Sequence, residues 1–172
     1  KLIVELDKKI NSTLLLINID AFQELNNLYG NNIGDIILKK YAKFLENMSH
    51  DNCCTLYRLH SDEYAILCTQ HFDLDEINKF AAFITDSTSK KEFKIDKKTI
   101  ISISSTIGIS FGKNLLLTNA DIALKLAKSK KDNFLVYKSS MNAEHEYAQN
   151  LAWTKRIKEA INEDKIVPLF QP

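Results

Sequence analysis

"TLLLINIDAFQELNNLYGNNIGDIIL", residues 13 to 38, decides the fold. Its first seven residues, Thr13 to Ile19, form an unbroken β-rich apolar run. Such a run suits a strand buried on both faces in the middle of a sheet, with Asp20 at its C-terminal edge. "NNLYGNNIGD" then supplies turn residues. From Ile33 the apolar positions Ile36, Ile37, Tyr41, Phe44, Leu45 and Met48 fall on one stripe of an amphipathic helix. A strand with no polar face needs cover on both sides, so the stretch predicts a sheet interior with helices packed against it.

Working outward, residues 55–59 and 64–68 are short apolar runs separated by "HSDE", the spacing of a β-hairpin with its tip at His60 to Glu63. Asp73 and Glu76 form a capping box for a helix running to about Asp86, with Ile77, Phe80, Ala81 and Ile84 inward. The lysine-rich "SKKEFKIDKK" that follows reads as a solvated loop. "TIISISSTIGISF" (99–111) reads as one long strand, in which Gly108 permits a bulge or a close approach. Thr118 with Asp121 predicts a capping box for a helix to about Lys131, and "FLVY" (134–137) a last strand. The order β, α, α, β-hairpin, α, β, α, β suggests an α+β fold: one sheet of about five strands with helices on its faces. After Tyr137 a polar helix, residues 142–164, has apolar positions at Leu151, Ile157, Ala160 and Ile161 that are sparse for a core helix, and it reads as a connector.

The 172 residues suit one domain burying roughly 70% of its unfolded surface. Twenty-three basic and 22 acidic residues nearly cancel, which argues against nucleic acid as a partner. Cys53, Cys54 and Cys68 are odd in number and two are adjacent, which reads as reduced thiols on apolar strands in a cytoplasmic protein. A zinc set of Cys54, His60, Cys68 and His71 matches no C-x2-C spacing. The sequence has no apolar run of membrane-spanning length, so no membrane contact is expected from this segment.

The chain resembles a GGDEF domain, the diguanylate cyclase fold. "LLLINIDAFQELNNLYGNNIGDIIL" keeps the spacing of the family's L-L-x-I-D-I-D-x-F-K-x-I-N-D-x-x-G-H-x-x-G-D-x-x-L. "ADIALKLAKSKKDN" (120–133) fits A-D-x-A-L-x-x-A-K-x-x-x-x-N without a gap. The tail "IVPLFQP" resembles the opening of an EAL domain, the cyclic di-GMP phosphodiesterase. The expected organisation is a GGDEF domain over residues 1–140, a linker helix over 141–165 and the start of an EAL domain over 166–172.

"RLHSDEY" (58–64) takes the place of the family's R-x-G-G-D-E-F, so its positions are His60, Ser61, Asp62, Glu63 and Tyr64, and both glycines are gone. A Gly-Gly turn takes φ > 0 and lets a nucleotide lie against bare backbone. His60 and Ser61 add side chains there, and histidine tolerates the left-handed conformation. The resemblance implies two Mg2+ ions held by the first aspartate after the strand and by the third hairpin residue, here Asn18 and Asp62. An amide at Asn18 removes one charge from that metal shell, leaving Asp62 as a weak ligand. Gln23, Asn31 and Asp132 also depart from the pattern, and the family's R-x-x-D product site aligns with "DNCC" (51–54). Asn26 and Asp35 match the guanine-contacting pair and Lys128 the phosphate-contacting lysine. From residue type alone, Asn26 also suits a turn, Asp35 a helix N-terminus and Lys128 a solvated surface. No activated partner marks His60 as a base.

The resemblance with these departures implies a non-enzymatic GGDEF-like domain with no required cofactor. It would bind GTP with weakly held Mg2+ and regulate an adjoining EAL domain in cis. The alternatives are a ligand-free module for homodimerisation or protein contact, and a residual cyclase.

Overall fold

A computed structural model describes residues 1–8, 11–50, 54–70, 72–96, 99–141, 153, 154, 156–161 and 163. The chain divides into two units, Lys1–Tyr137 and Lys138–Pro172. In the second, residues 153, 154 and 156–161 are helical. Apart from residues 141 and 163, the remainder of the expected linker helix, and the "IVPLFQP" tail, lie outside the described residues.

The first unit is built on β1 (Ser12–Ile19), which is buried at every position. It is the centre of a five-stranded sheet of order β2-β3-β1-β6-β7, formed with β2 (Cys54–Arg58), β3 (Glu63–Cys68), β6 (Ser105–Gly112) and β7 (Phe134–Val136). All pairings are antiparallel except β6 with β7. Side chains alternate across a strand, so β1 serves two cores. Leu15, Ile17 and Ile19 pack with helices α2 (Phe22–Tyr29), α3 (Asn31–His50) and α4 (Leu74–Lys90), through Phe22, Ile37, Tyr41, Leu45, Ile77 and Ile84. Leu14 and Leu16 pack on the other face with Leu2 of α1 (Leu2–Leu6) and with Leu116, Ala120 and Leu124 of α5 (Leu116–Lys130). Each fully buried Leu or Ile contributes about 1.5–3 kcal/mol, so this strand carries a large share of the stability. The mixed α+β fold expected from the sequence is the one observed.

Local readings fare unevenly. The Asp73 capping box is present, with Glu76 N donating to Asp73 Oδ1 at 2.8 Å and Asp73 N to Glu76 Oε2 at 3.0 Å. Gly108 lies where α5 crosses β6, and a Cβ there would collide with the backbone of Ala120 and Leu124. The glycine is a close approach rather than a bulge.

Three expectations are corrected. α5 starts at Leu116, not Thr118, with Leu115 at φ 55 before it. Burial of Leu116, whose carbonyl accepts from Ser110 Oγ at 2.7 Å, fixes the start ahead of the capping box. The strand expected over 99–111 is two strands. β5 (Ile100–Ser102) pairs with β4 (Glu92–Lys94), whereas β6 pairs with β1. Part of the lysine-rich segment is therefore a strand, because Phe93 at its centre is buried in the α3–α4 core. The short helix α1 was not legible at all, since one apolar turn has no measurable period.

Candidate functional site

The hairpin tip is a turn closed by its own backbone. Glu63 N donates to His60 O and Leu59 N to Glu63 O, both at 3.0 Å, and Ile19 N at the end of β1 donates to Asp62 O at 3.2 Å. Ser61 has φ 50, and the Arg58 guanidinium donates to its carbonyl at 3.3 Å. The left-handed residue is thus Ser61 and not the expected His60. It follows His60 in a turn whose first central position favours glycine, so the local hydrogen bonds override the preference of serine. The His60 side chain is 89% exposed, with Nδ1 3.9 Å from Glu63 Oε2. Tyr64, by contrast, is core. Its hydroxyl donates to Leu38 O at 2.8 Å, its ring meets Tyr41 edge to face, and burial pushes its pKa up to about 12.

At the open end of the hairpin Cys54 and Cys68 face each other across β2 and β3 with Cα atoms 4.3 Å apart, and they form a disulfide. This corrects the reading of the cysteines as separate reduced thiols. The pairing depends on cross-strand register, which residue spacing alone does not specify.

The other site residues meet at the C-terminal end of β1. Asn18 is 7% exposed and stands in register between Glu63 on β3 and Thr106 on β6. Lys128, reaching over from α5, donates from Nζ to Asn18 Oδ1 at 2.5 Å. Asp20, two residues on, accepts from Ser104 Oγ at 2.8 Å and from Thr106 Oγ1 at 2.7 Å, one hydroxyl on each carboxylate oxygen. Asp20, Thr106 and Lys128 open, with Ala21, Lys131, Asp132 and Asn133, onto a depression of about 390 Å³. The sequence reading missed Ser104 and Thr106 as the holders of Asp20. The one available signal was an aspartate directly after a buried strand.

This donor set does not fit a pair of Mg2+ ions. Magnesium demands near-octahedral oxygen ligation and is normally held by carboxylates. The amide at Asn18 brings no charge, and its oxygen already holds an ammonium, which repels a divalent cation. Each Asp20 oxygen accepts from one hydroxyl. Among the described residues, no three His, Cys, Asp or Glu side chains cluster as metal ligands.

Asn26 and Asp35 lie on different helices joined through Gly30 at φ 84. Asn26 sits inside α2, and Asp35 is a turn into α3, which begins at Asn31 and has no acidic residue in its first turn. Neither therefore fills the local role that residue type suggested, a turn asparagine or an N-terminal helix charge. The Asn26 amide lies against Gly34, the residue before Asp35, where a Cβ would collide with Oδ1. Asn26 Oδ1 is buried with no hydrogen-bond partner among the described residues, and Asp35 is exposed. An orphaned buried acceptor costs about 1–3 kcal/mol.

Comparison with known proteins agrees with this fold. Residues 3–134 match the family model of the diguanylate cyclase GGDEF domain. An uncharacterized membrane protein of Staphylococcus epidermidis is 28% identical over 138 residues, covering 76% of this chain, and the chain spans only 38% of that relative's length. An EAL/GGDEF domain protein from M. capsulatus superimposes with TM-score 0.69 at 27% identity, covering 80% of this chain and 94% of that one. The GGDEF domain of YfiN (TpbB) from Pseudomonas aeruginosa has the same fold at TM-score 0.68 and 24% identity, covering 77% and 85%. No described helix is long and apolar enough to cross a membrane.

Proposed function

The chain belongs to the GGDEF domain family, and we propose that it is a catalytically inactive member that binds GTP and regulates an adjoining EAL phosphodiesterase domain in cis. The observation that carries the proposal is the Lys128 to Asn18 hydrogen bond at 2.5 Å. A cyclase joins two nucleotides by attack of a 3'-hydroxyl on an α-phosphate, and the charge that develops calls for metal cations. In this chain a side-chain ammonium is bonded to the amide where a metal-binding carboxylate would stand. No step of that reaction is therefore assigned to it.

Two features support nucleotide binding without turnover. Asn26 Oδ1 is an unpartnered buried acceptor, suited to the N–H edge of a guanine, and Asp35 is an exposed carboxylate able to accept from the same edge. The EAL partner is supported by the "IVPLFQP" tail and by the EAL/GGDEF protein among the solved structures. One observation favours the second reading, a ligand-free dimerisation module: Trp153, Ile157 and Ile161 are all exposed and fall at i, i+4 and i+8 on one helical stripe.

The test assays cyclic di-GMP hydrolysis by the full-length protein with and without GTP. Site coupling is typically about 1–3 kcal/mol, so GTP should change the rate about 5- to 150-fold, and Asp35→Ala should abolish the response. An unchanged rate, or a full response in Asp35→Ala, would remove GTP sensing through this site and leave dimerisation in its place.

A further inference from the structure

On the sheet face covered by α3 and α4, away from the residues discussed above, lies a concave site of about 450 Å³ lined by Lys40, Lys43, Phe44 and Asn47 of α3 and by Lys91 to Lys94. Lys40 and Lys43 are one turn apart and share a helix face. Lys91 and Lys94 flank the buried Phe93 from the end of α4 and from β4. All four lysines are exposed, and none forms an ion pair with a described residue. Three lysines elsewhere are neutralised locally, Lys8 by Glu5, Lys90 by Asp86 and Lys125 by Asp121, whereas the four here lie together on one concave surface. With Glu92 the only acid in the lining, the site concentrates positive charge in a chain whose net charge is +1.

The floor is aromatic. Phe44 is half-buried, Phe93 meets it edge to face at 6.0 Å, and Lys91 Nζ stands 5.9 Å from the Phe44 ring centre. The volume falls within the range of small-molecule sites, about 300–1,000 Å³. Flat membrane surfaces need no concavity, and a bare inorganic anion needs no ring beneath it. We infer that the α3/β4 site binds a nucleoside polyphosphate, its phosphates held by Lys40, Lys43, Lys91 and Lys94 and its base lying on Phe44 within reach of the Asn47 amide. This inference is independent of the GTP reading, since it uses none of Asn26, Asp35 or Lys128.

The experiment titrates the full chain, in EDTA, with ATP and separately with tripolyphosphate by calorimetry. ATP should bind more tightly than tripolyphosphate, because only ATP carries the ring. Lys43→Glu with Lys94→Glu should weaken ATP by about tenfold or more, whereas Lys79→Glu with Lys113→Glu, an equal change of net charge at exposed positions elsewhere, should leave it within about twofold. If the reversal variant loses its circular dichroism, Lys43→Ala with Lys94→Ala makes the same comparison with less repulsion. Asp35→Ala should leave ATP binding intact, which separates this site from the proposed GTP site. The inference is overturned if neither ligand binds, if tripolyphosphate binds as well as ATP, if the two reversal pairs behave alike, or if Asp35→Ala abolishes ATP binding. Binding to phosphatidylserine vesicles without binding to ATP overturns it in favour of a membrane surface.

Discussion

Replacing Lys128 by alanine removes the ammonium that donates to Asn18 Oδ1 at 2.5 Å. Because Asn18 is only 7% exposed, its amide oxygen is left where water replaces the donor poorly. Hydrogen bonds from a charged donor are worth about 1.5–3 kcal/mol when well shielded. The lysine itself is exposed along much of its length, so screening lowers the expected loss to about 1 kcal/mol. The matched control is Lys125→Ala on the same helix, whose ammonium bonds to Asp121 at 2.7 Å on an exposed face. Such an i, i+4 pair is worth about 0.3–0.5 kcal/mol. Helix propensity changes equally in the two variants and cancels from the comparison. Urea unfolding followed by circular dichroism should show Lys128→Ala as the more destabilised, by about 0.5–0.7 kcal/mol beyond Lys125→Ala. A double-mutant cycle with Asn18→Ala should give a coupling of about 0.5–1 kcal/mol. If Lys128→Ala is no worse than Lys125→Ala, or the coupling is zero, Lys128 is free to serve a phosphate, and the argument that Asn18 is closed to metal fails.

Ser61→Gly should stabilise the domain by about 0.5–1 kcal/mol in the same unfolding assay, since it relieves a left-handed residue at φ 50 at some cost in unfolded-chain entropy. A loss of stability would show that the serine side chain has a role in the turn. Gly108→Ala should destabilise by about 3 kcal/mol or more, because its Cβ meets the backbone of α5 and not a movable side chain; a near-neutral result would mean that α5 can slide. The Tyr64 pKa is raised from 10.0 to about 12 in the folded state, so the neutral phenol contributes stability that is fully present below pH 10 and lost as pH rises toward 12. Tyr64→Phe should therefore lose less stability than the wild type across that alkaline window, and equal losses would refute the assignment.

The fold was legible where burial and period coincide. Thr13 to Ile19 announces a central strand because both of its faces are apolar, and Ile77, Phe80, Ala81 and Ile84 announce the buried face of α4 because their spacing follows the helix. What misled was local chemistry that tertiary contacts overrode. Leu116 pulled the start of α5 ahead of the Thr118 box, and Phe93 turned a lysine-rich loop into a strand. At the candidate site the sequence offers residue identities, with Asn18 standing out as an amide where the family resemblance implies a carboxylate. The wiring of the site was not legible. The Lys128 to Asn18 contact spans 110 residues, and Thr106 to Asp20 spans 86, distances over which residue type carries no information about who meets whom. The Cys54 to Cys68 bond was hidden for the same reason, being set by hairpin register.

The most direct test of the account is whether the full-length protein, given GTP and saturating Mg2+, makes cyclic di-GMP. An amide bonded to an ammonium at Asn18 predicts no product above the level seen with the Asp62→Ala variant. Product that accumulates in proportion to protein concentration, and that Asp62→Ala abolishes, would contradict it by showing that one carboxylate at the hairpin tip suffices to assemble the metal site.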